Sequence, residues 1–201
     1  MSVWSTYLWW APCSLWKRDI PQRIRTATPI ELRICRMKFL ADCMLGKLAK
    51  WLRILGYDTV YDNFATDDDL LADADAQQRI LLTRDRGLAD RAAQQRRVIC
   101  IHIDDNVLND QLEQLVVETN FDLDRPTFTR CLKCNVEIQP ASLDNVRSLV
   151  PPYVLKTRTA FFQCPSCRRA YWSGSHTNRM EGRLDSIRRA VAARSTATTD
   201  V

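Results

Sequence analysis

Three short apolar runs in this chain each stop at an aspartate. Lys38-Phe39-Leu40-Ala41 leads to Asp42, Ile80-Leu81-Leu82-Thr83 leads through Arg84 to Asp85, and Val98 to Ile103 leads to Asp104 and Asp105. A further acidic run, Asp67-Asp68-Asp69, stands where a helix opens, with Thr66 or Asp67 as its cap. Parallel strands would bring all these carboxylates to one edge of a sheet, where open α/β folds place their ligands. Like charges gathered there repel unless a cation joins them. Oxygen ligands of this kind select hard divalent ions, Mg²⁺ or Mn²⁺. Two such ions roughly 3.5–4 Å apart activate water and stabilise the leaving oxygen in phosphodiester hydrolysis. Each acid alone has a plainer use as a helix cap or turn residue. It is the recurrence, one Asp after every strand, that argues for shared chemistry.

The cysteines make a second constellation. Cys131-Leu132-Lys133-Cys134 and Cys164-Pro165-Ser166-Cys167 are two Cys-x-x-Cys knuckles separated by 29 residues. Such a set suits one tetrahedral Zn²⁺ with sulfur at about 2.3 Å, a closed and therefore structural site. Redox dithiols are the rival reading, but they favour a single Cys-x-x-Cys beside a βαβ unit. The insert reads as a small helix from Ser142 to Leu149, then Pro151-Pro152, then a strand from Tyr153 to Gln163. Lys133, Lys156, Arg158, Arg168 and Arg169 surround the knuckles, with Phe161, Phe162, Tyr171 and Trp172 among them. Cations that track a backbone and rings that stack on bases suit single-stranded nucleic acid, although Phe161 and Phe162 read chiefly as core beneath the metal. Cys43 and Cys100 sit among apolar neighbours and read as buried thiols. Cysteine usage of this kind fits a reducing, cytoplasmic setting better than a disulfide framework.

The elements that must position these groups follow from periodicity. After Asp42, Met44, Leu45, Leu48, Trp51, Leu52 and Leu55 recur at helical spacing until Gly56 stops the pattern. Tyr57 to Tyr61 is a short strand. Leu70, Leu71 and Ala74 mark one helix, Leu88 and Ala92 a second, and Leu108, Leu112, Leu115, Val116 and Thr119 a third. Strands alternating with helices imply an α/β fold, a mainly parallel sheet covered on both faces in three layers. This domain spans 37–124, a cysteine domain 125–181, and a frayed helix or flexible tail 182–201. Residues 1–36 are rich in Trp and Arg and broken by Pro12, Pro21 and Pro29. They read as a leader added upstream, with Met37 as the native start.

Composition narrows the function classes. The chain has 201 residues, 46% hydrophobic, and carries a net charge of +5. The charge is divided. Residues 37–124 hold ten basic and seventeen acidic groups, and residues 125–201 thirteen basic and five acidic. A basic end attracts phosphate backbones, and an acidic middle attracts divalent cations. No apolar run approaches the ~20 residues of a membrane span. No Walker loop, Gly-x-Gly-x-x-Gly, nucleophile elbow or His-Glu-x-x-His occurs. A phosphoaspartyl phosphatase needs a second Asp two residues after the first, where this chain has Met44. Two histidines are too few for a histidine-rich zinc hydrolase.

The run Phe39-Leu40-Ala41-Asp42-Cys43-Met44-Leu45-Gly46-Lys47-Leu48, continuing through Trp51, Arg53 and Gly56 to Asp58, is followed by Leu81-Leu82-Thr83-Arg84-Asp85. Together they resemble the Mut-seven carboxy-terminal RNase family, a PIN-like nuclease domain joined to a zinc ribbon. The resemblance covers roughly residues 37–181. It implies a metal-dependent ribonuclease with Asp42 as the first metal acid and Asp85 as the acid of the Thr-x-Asp motif. The helical acid is Asp69, with Asp68 as the rival register, and Asp104 is the fourth candidate. PIN domains often carry Glu at the helical position, and the shorter Asp here reduces its reach.

Lys47, Lys50 and Arg53 step by three along the first helix, and Arg84 and Arg86 flank Asp85. Both groups are candidates for substrate phosphates, as is Arg168, with a solvated surface as the plain alternative. Trp172-Ser173-Gly174-Ser175-His176 resembles the family's stretch after its last knuckle. His176 there has two readings, substrate contact or a structural hydrogen bond. His102 reads as structural. The expected partner is single-stranded RNA, with no membrane. Two other classes stay open: a non-catalytic nucleic-acid adaptor, and a PIN-type toxin with a protein antitoxin.

Overall fold

Strand β1 (Lys38–Ala41) is central because Phe39, Leu40 and Ala41 offer no polar side to water, and all three are buried. The computed structural model describes residues 37–119 and 122–197. The expected leader, 1–36, lies outside them. Strand β2 (Asp58–Tyr61) pairs with β1 on one side and β3 (Ile80–Thr83) on the other, and β4 (Cys100–His102) lies beyond β3. Every pairing in this sheet of order β2-β1-β3-β4 is parallel. Parallel neighbours need crossover connections. These are α1 (Gly46–Ile54), α2 (Asp67–Ala76) and α3 (Arg86–Gln94), and α4 (Leu108–Thr119) follows β4.

The chain steps from β1 to β2 in one direction, then from β2 to β3 and β4 in the other. Right-handed crossovers therefore send α1 to one face of the sheet and α2 and α3 to the opposite face. On the second face Leu40 and Leu81 pack with Leu70, Leu71, Leu88 and Ala92. Helix α1 packs on β1, β2 and α4, with Leu48 and Leu52 buried. The expected α/β architecture with a parallel sheet is thus present. The direction of winding changes between β1 and β3, which makes the carboxyl ends of these two strands the switch point of the sheet.

Gly56 does end the first helix. Its φ is +78°, and a Cβ there would stand 2.8 Å from the Pro126 carbonyl. Beyond α4 the chain builds a second, antiparallel sheet of β5 (Gln139–Ala141), β6 (Phe161–Gln163) and β7 (Ala170–Tyr171). Two short helices lie in the insert, α5 (Leu143–Val146) and α6 (Pro152–Thr157). Here the structure corrects the reading from sequence. The helix expected over 142–149 is a single turn capped by the Ser142 hydroxyl. The strand expected from Tyr153 starts only at Phe161, because Pro152 at the first helical position fixes φ for a helix. Val154 then points inward with Val146, Val150 and Phe161.

Residues 182–197 of the stretch expected as a frayed helix or flexible tail continue α7 (Ser175–Ala197), and 198–201 lie outside the described residues. Alanine and arginine are good helix formers, and Leu184 and Ile187 supply a buried anchor. The helix lies against α4. Arg183 sits over the Trp51 ring, 5.4 Å from its centroid, and Arg188 pairs with Asp124 at 3.0 Å.

The two sheets are joined by a polar clasp. Asp58 pairs with Arg79 at 2.7 Å and also accepts from the Asn135 amide at 2.6 Å. Burial pushes the Asp58 carboxyl up, but the hydrogen bonds from Arg79 and Asn135 outweigh it and hold the group below its usual range. Such a carboxylate stabilises the fold above its unfolded pKa and loses that contribution as pH falls through the folded value. The stability gap between the wild-type protein and Asp58→Asn should therefore narrow below about pH 4, read from urea midpoints. Leu184→Ala should cost about 2–5 kcal/mol by the same measurement, and an unchanged midpoint would mean that α7 does not dock.

Candidate active site and metal centre

Asp42 is buried at the end of β1, and three donors hold it. Its Oδ1 accepts from the Met44 N–H at 2.7 Å, and its Oδ2 from the Arg84 N–H at 3.0 Å and from the Thr83 hydroxyl. That hydroxyl in turn accepts from the Asp85 N–H at 2.9 Å. One oxygen of Thr83 thus joins the residue after β1 to the residue that opens α3. The Asp85 carboxylate is exposed and caps α3, its Oδ1 accepting from the Leu88 N–H at 3.1 Å. Negative charge is favoured at a helix N-terminus. Asp42 and Asp85 therefore share one rim, at the switch point.

The other acids are placed differently. Asp69 forms a capping box with Thr66. Its Oδ2 accepts from the Thr66 N–H at 3.0 Å and from the hydroxyl at 2.7 Å, and these bonds lower its pKa. Asp67 and Asp68 both pair with Arg91 of α3. Beside Asp69 a cavity of about 370 Å³ opens between Leu40, Val60 and Leu70, rimmed by Phe64, whose side chain is 91% exposed. Asp104 accepts from His102 Nδ1 at 3.0 Å, and the other ring nitrogen lies 3.3 Å from the Arg84 carbonyl. His102, which alternation alone marked as structural, thus ties Asp104 to the turn that carries Asp85. Among the described residues no three carboxylates bring ligand oxygens within 4.8 Å of one another. The acids occupy one rim without closing a cage. Among the described residues three of the roughly four acceptor positions of Asp42 are filled, and Asp85 uses one carboxylate oxygen to cap α3. This set of free carboxylate positions fits a hard cation such as Mg²⁺ or Mn²⁺.

The cationic candidates separate in the same way. Lys47 and Lys50 are exposed on α1, and Arg86 is exposed on the first turn of α3. Arg53 is not available to a phosphate. It is 7% exposed and donates to the carbonyls of Thr59 at 2.9 Å, Leu132 at 2.8 Å and Lys133 at 3.2 Å. Six residues at about 100° each rotate it about 120° from Lys47 around the helix, so a step of three does not hold one face. Burial lowers the Arg53 pKa, against the charges of Cys131, Cys134 and Asp58, which raise it. Arg84 contributes through its backbone, and its Nε is buried with no hydrogen-bond partner among the described residues. Arg168 is exposed in the second knuckle with φ of 60°. The side chain of His176 lies outside the described residues.

The four cysteines do close a cage. Cys131, Cys134, Cys164 and Cys167 have all their sulfurs within 4.8 Å of one another, with Cys131 and Cys167 at 3.6 Å. A tetrahedral Zn²⁺ with ligands at about 2.3 Å sets sulfurs about 3.8 Å apart, so the donor set fits zinc. The two knuckles repeat one geometry. The Cys134 N–H donates to Cys131 Sγ and the Cys167 N–H to Cys164 Sγ. Each knuckle then turns through a left-handed residue, Asn135 or Arg168, whose N–H returns at 2.9 Å to the carbonyl of the first cysteine. The Tyr171 hydroxyl donates to Cys131 Sγ at 3.1 Å. Burial would raise the Cys131 thiol, yet the Tyr171 hydroxyl and the N–H groups of Cys134 and Lys133 bring it down to about 6. Of the remaining thiols, Cys43 is exposed rather than buried. It sits in the one-turn 3₁₀ helix Cys43–Leu45, of which only Leu45 faces in. Cys100 is half-buried, and burial with the charge of Asp42 pushes it up to about 11.

A model of the Mut7-C RNAse domain family matches residues 37–184. The chain belongs to that family. The matched Mut7-C region runs from the residue before β1, through both knuckles, to Leu184 in α7. No curated protein and no solved structure matches the chain. Family membership points to a nuclease-type function for this Mut7-C domain. Sequence reading noted Thr83 only as the motif's first letter. Its β-branched shape in a buried strand, two positions before a rim acid, was the available signal. Thr83→Val keeps the shape and removes the hydroxyl, leaving the Asp85 N–H and one oxygen of Asp42 without it. A loss of about 1–3 kcal/mol is expected in denaturant unfolding, and a neutral result would show that the bridge holds nothing.

Proposed function

We propose that this Mut7-C domain hydrolyses phosphodiester bonds of single-stranded RNA with Mg²⁺ or Mn²⁺ held by Asp42, Asp85 and Asp69, in a PIN-like architecture. The observation that carries the reading is the pair Asp42 and Asp85, linked through Thr83 at the switch point of a parallel sheet. The bound cation supplies an activated water and neutralises charge building at phosphorus. Asp42 offers its remaining lone pair from a fixed position, and Asp85 the oxygen not used in capping α3. Thr83 keeps the two carboxylates in register. Asp69 stands at the opening of α2 as the third acid, since Asp67 and Asp68 are already paired with Arg91. Asp104, held by His102, steadies the Asp85 turn from the β4 side.

Phosphates of the strand meet Lys47, Lys50 and Arg86, which are exposed on the helices flanking the rim. Lys133, Lys156, Arg168 and Arg169 are exposed around the four cysteines. In this reading they form the basic grip of a zinc ribbon. No helix among the described residues is long and apolar enough to cross a membrane, and we place the enzyme in the cytoplasm.

The test is labelled single-stranded RNA incubated with the zinc-loaded protein, with Mn²⁺ added or omitted. Asp42→Asn and Asp85→Asn should each lower cleavage by at least about 10²-fold while RNA binding is retained. Cleavage that survives both substitutions would leave the nucleic-acid adaptor as the better reading.

A further inference from the structure

We propose that Arg53, a residue of the parallel-sheet half, is an outer-sphere group of the four-cysteine zinc site, and that zinc binding is thereby coupled to the order of α1 and β2. The guanidinium is buried and bridges two structures. Its Nε donates to the Thr59 carbonyl on β2, and its Nη1 donates to the carbonyls of Leu132 and Lys133. Leu132 and Lys133 are the two residues between the metal-ligating sulfurs of the first knuckle. Their carbonyls set the turn that aims Cys131 and Cys134 at one point.

Both flanks of that knuckle are tied to the same corner. Asn135, next after Cys134, accepts from the Thr59 N–H at 3.0 Å and donates to Asp58 at 2.6 Å. Arg130, just before Cys131, donates to the Gly56 carbonyl at 3.1 Å and to the Asn135 carbonyl at 2.7 Å. Thr59 thus has its outward N–H and C=O both satisfied by the clasp, which seals the edge of the sheet that β2 would otherwise expose. The second knuckle bonds within its own hairpin, Cys164 to Arg169 and Gln163 to Arg168. The coupling therefore belongs to the first knuckle.

Charge gives the reason for an arginine here. Zinc with four thiolates carries a net charge of −2, and a buried cation on the carbonyls of the chelating turn offsets part of it. Lysine would keep the charge but lose the planar fork that serves several carbonyls at once. Helix α1 has nine residues, with Arg53 in its last turn and Asp42 just beyond the 3₁₀ turn at its start. Anchoring one end fixes the direction in which the other presents the rim.

The inference rests on the cysteine cage and not on RNA hydrolysis, so zinc measurements decide it whether or not the protein cleaves RNA. In the full chain, competition for Zn²⁺ with a chromophoric chelator should show about 10–100-fold weaker binding in Arg53→Met, with Arg53→Lys between the two. Affinity within twofold of wild type in a folded Arg53→Met protein would overturn the proposal. Amide hydrogen exchange tests the reverse direction without touching Arg53. Removing zinc from the wild-type chain, or replacing Cys164 by Ser in the distant knuckle, should speed exchange at Thr59 and at Leu55 to Tyr57 by at least about tenfold. Loss of protection at β2, with or without loss at β3, supports the coupling. Unchanged protection at β2 overturns it.

Discussion

A single hydroxyl determines how the acid rim is arranged. Thr83 gives its proton to Asp42 and takes one from the Asp85 N–H. It therefore fixes the carboxylate of one strand against the helix start of the next. The bond is possible only because β1 and β3 are adjacent and parallel, with Ala41 opposite Leu82. That adjacency follows from the reversal of winding, since the connection from β2 must pass over β1 to reach β3. Topology, register and a polar contact thus converge on one place. The neighbouring His102, opposite Thr83 in the β3–β4 register, extends the same line of polar contacts to Asp104.

What could be read from the chain itself was whatever repeats locally. Strand–helix alternation, the Gly56 stop, the strand-end acids and the paired cysteines are all signals within a few residues of one another, and all appear in the structure. What could not be read depends on partners far away in sequence. Arg53 meets carbonyls 79 and 80 positions away; helix rotation alone turns it from Lys47, but its partners cannot be read from its own neighbourhood. His102 has the alternation of a core strand, and its use is visible only once Arg84 is beside it. Tyr153 to Thr157 carries β-prone residues, yet the prolines before it and the pocket that receives Val154 make it helical. Over 182–197 composition leaves a helix or a loose tail open, and only the contact with α4 and the buried Leu184 and Ile187 show a docked helix.

The charge asymmetry takes on a spatial meaning in this fold. The acidic part supplies the rim and the basic part surrounds the cysteines, with the clasp of Arg53, Asp58, Arg79, Arg130 and Asn135 between them. Opposite charges at that seam are paired and partly buried, where they count for more than on the surface. Beyond that seam each part keeps its own net charge, negative for residues 37–124 and positive for residues 125–201, even though many of the exposed charges are paired locally.

The way the acids are held also revises the premise that only a metal makes their proximity tolerable. Asp42 has three protein donors, Asp69 has both polar groups of Thr66, and Asp67 and Asp68 share Arg91. Each carboxylate is compensated separately, and the rim stays open. The cysteines are arranged on the opposite principle. Their sulfurs crowd within one small sphere, where one thiol is pulled down to about 6 and another pushed up to about 11. The same chain therefore sets its acids and its cysteines on two different plans: the four sulfurs lie close enough to share one ion, whereas the acids are held by separate protein donors along an open rim.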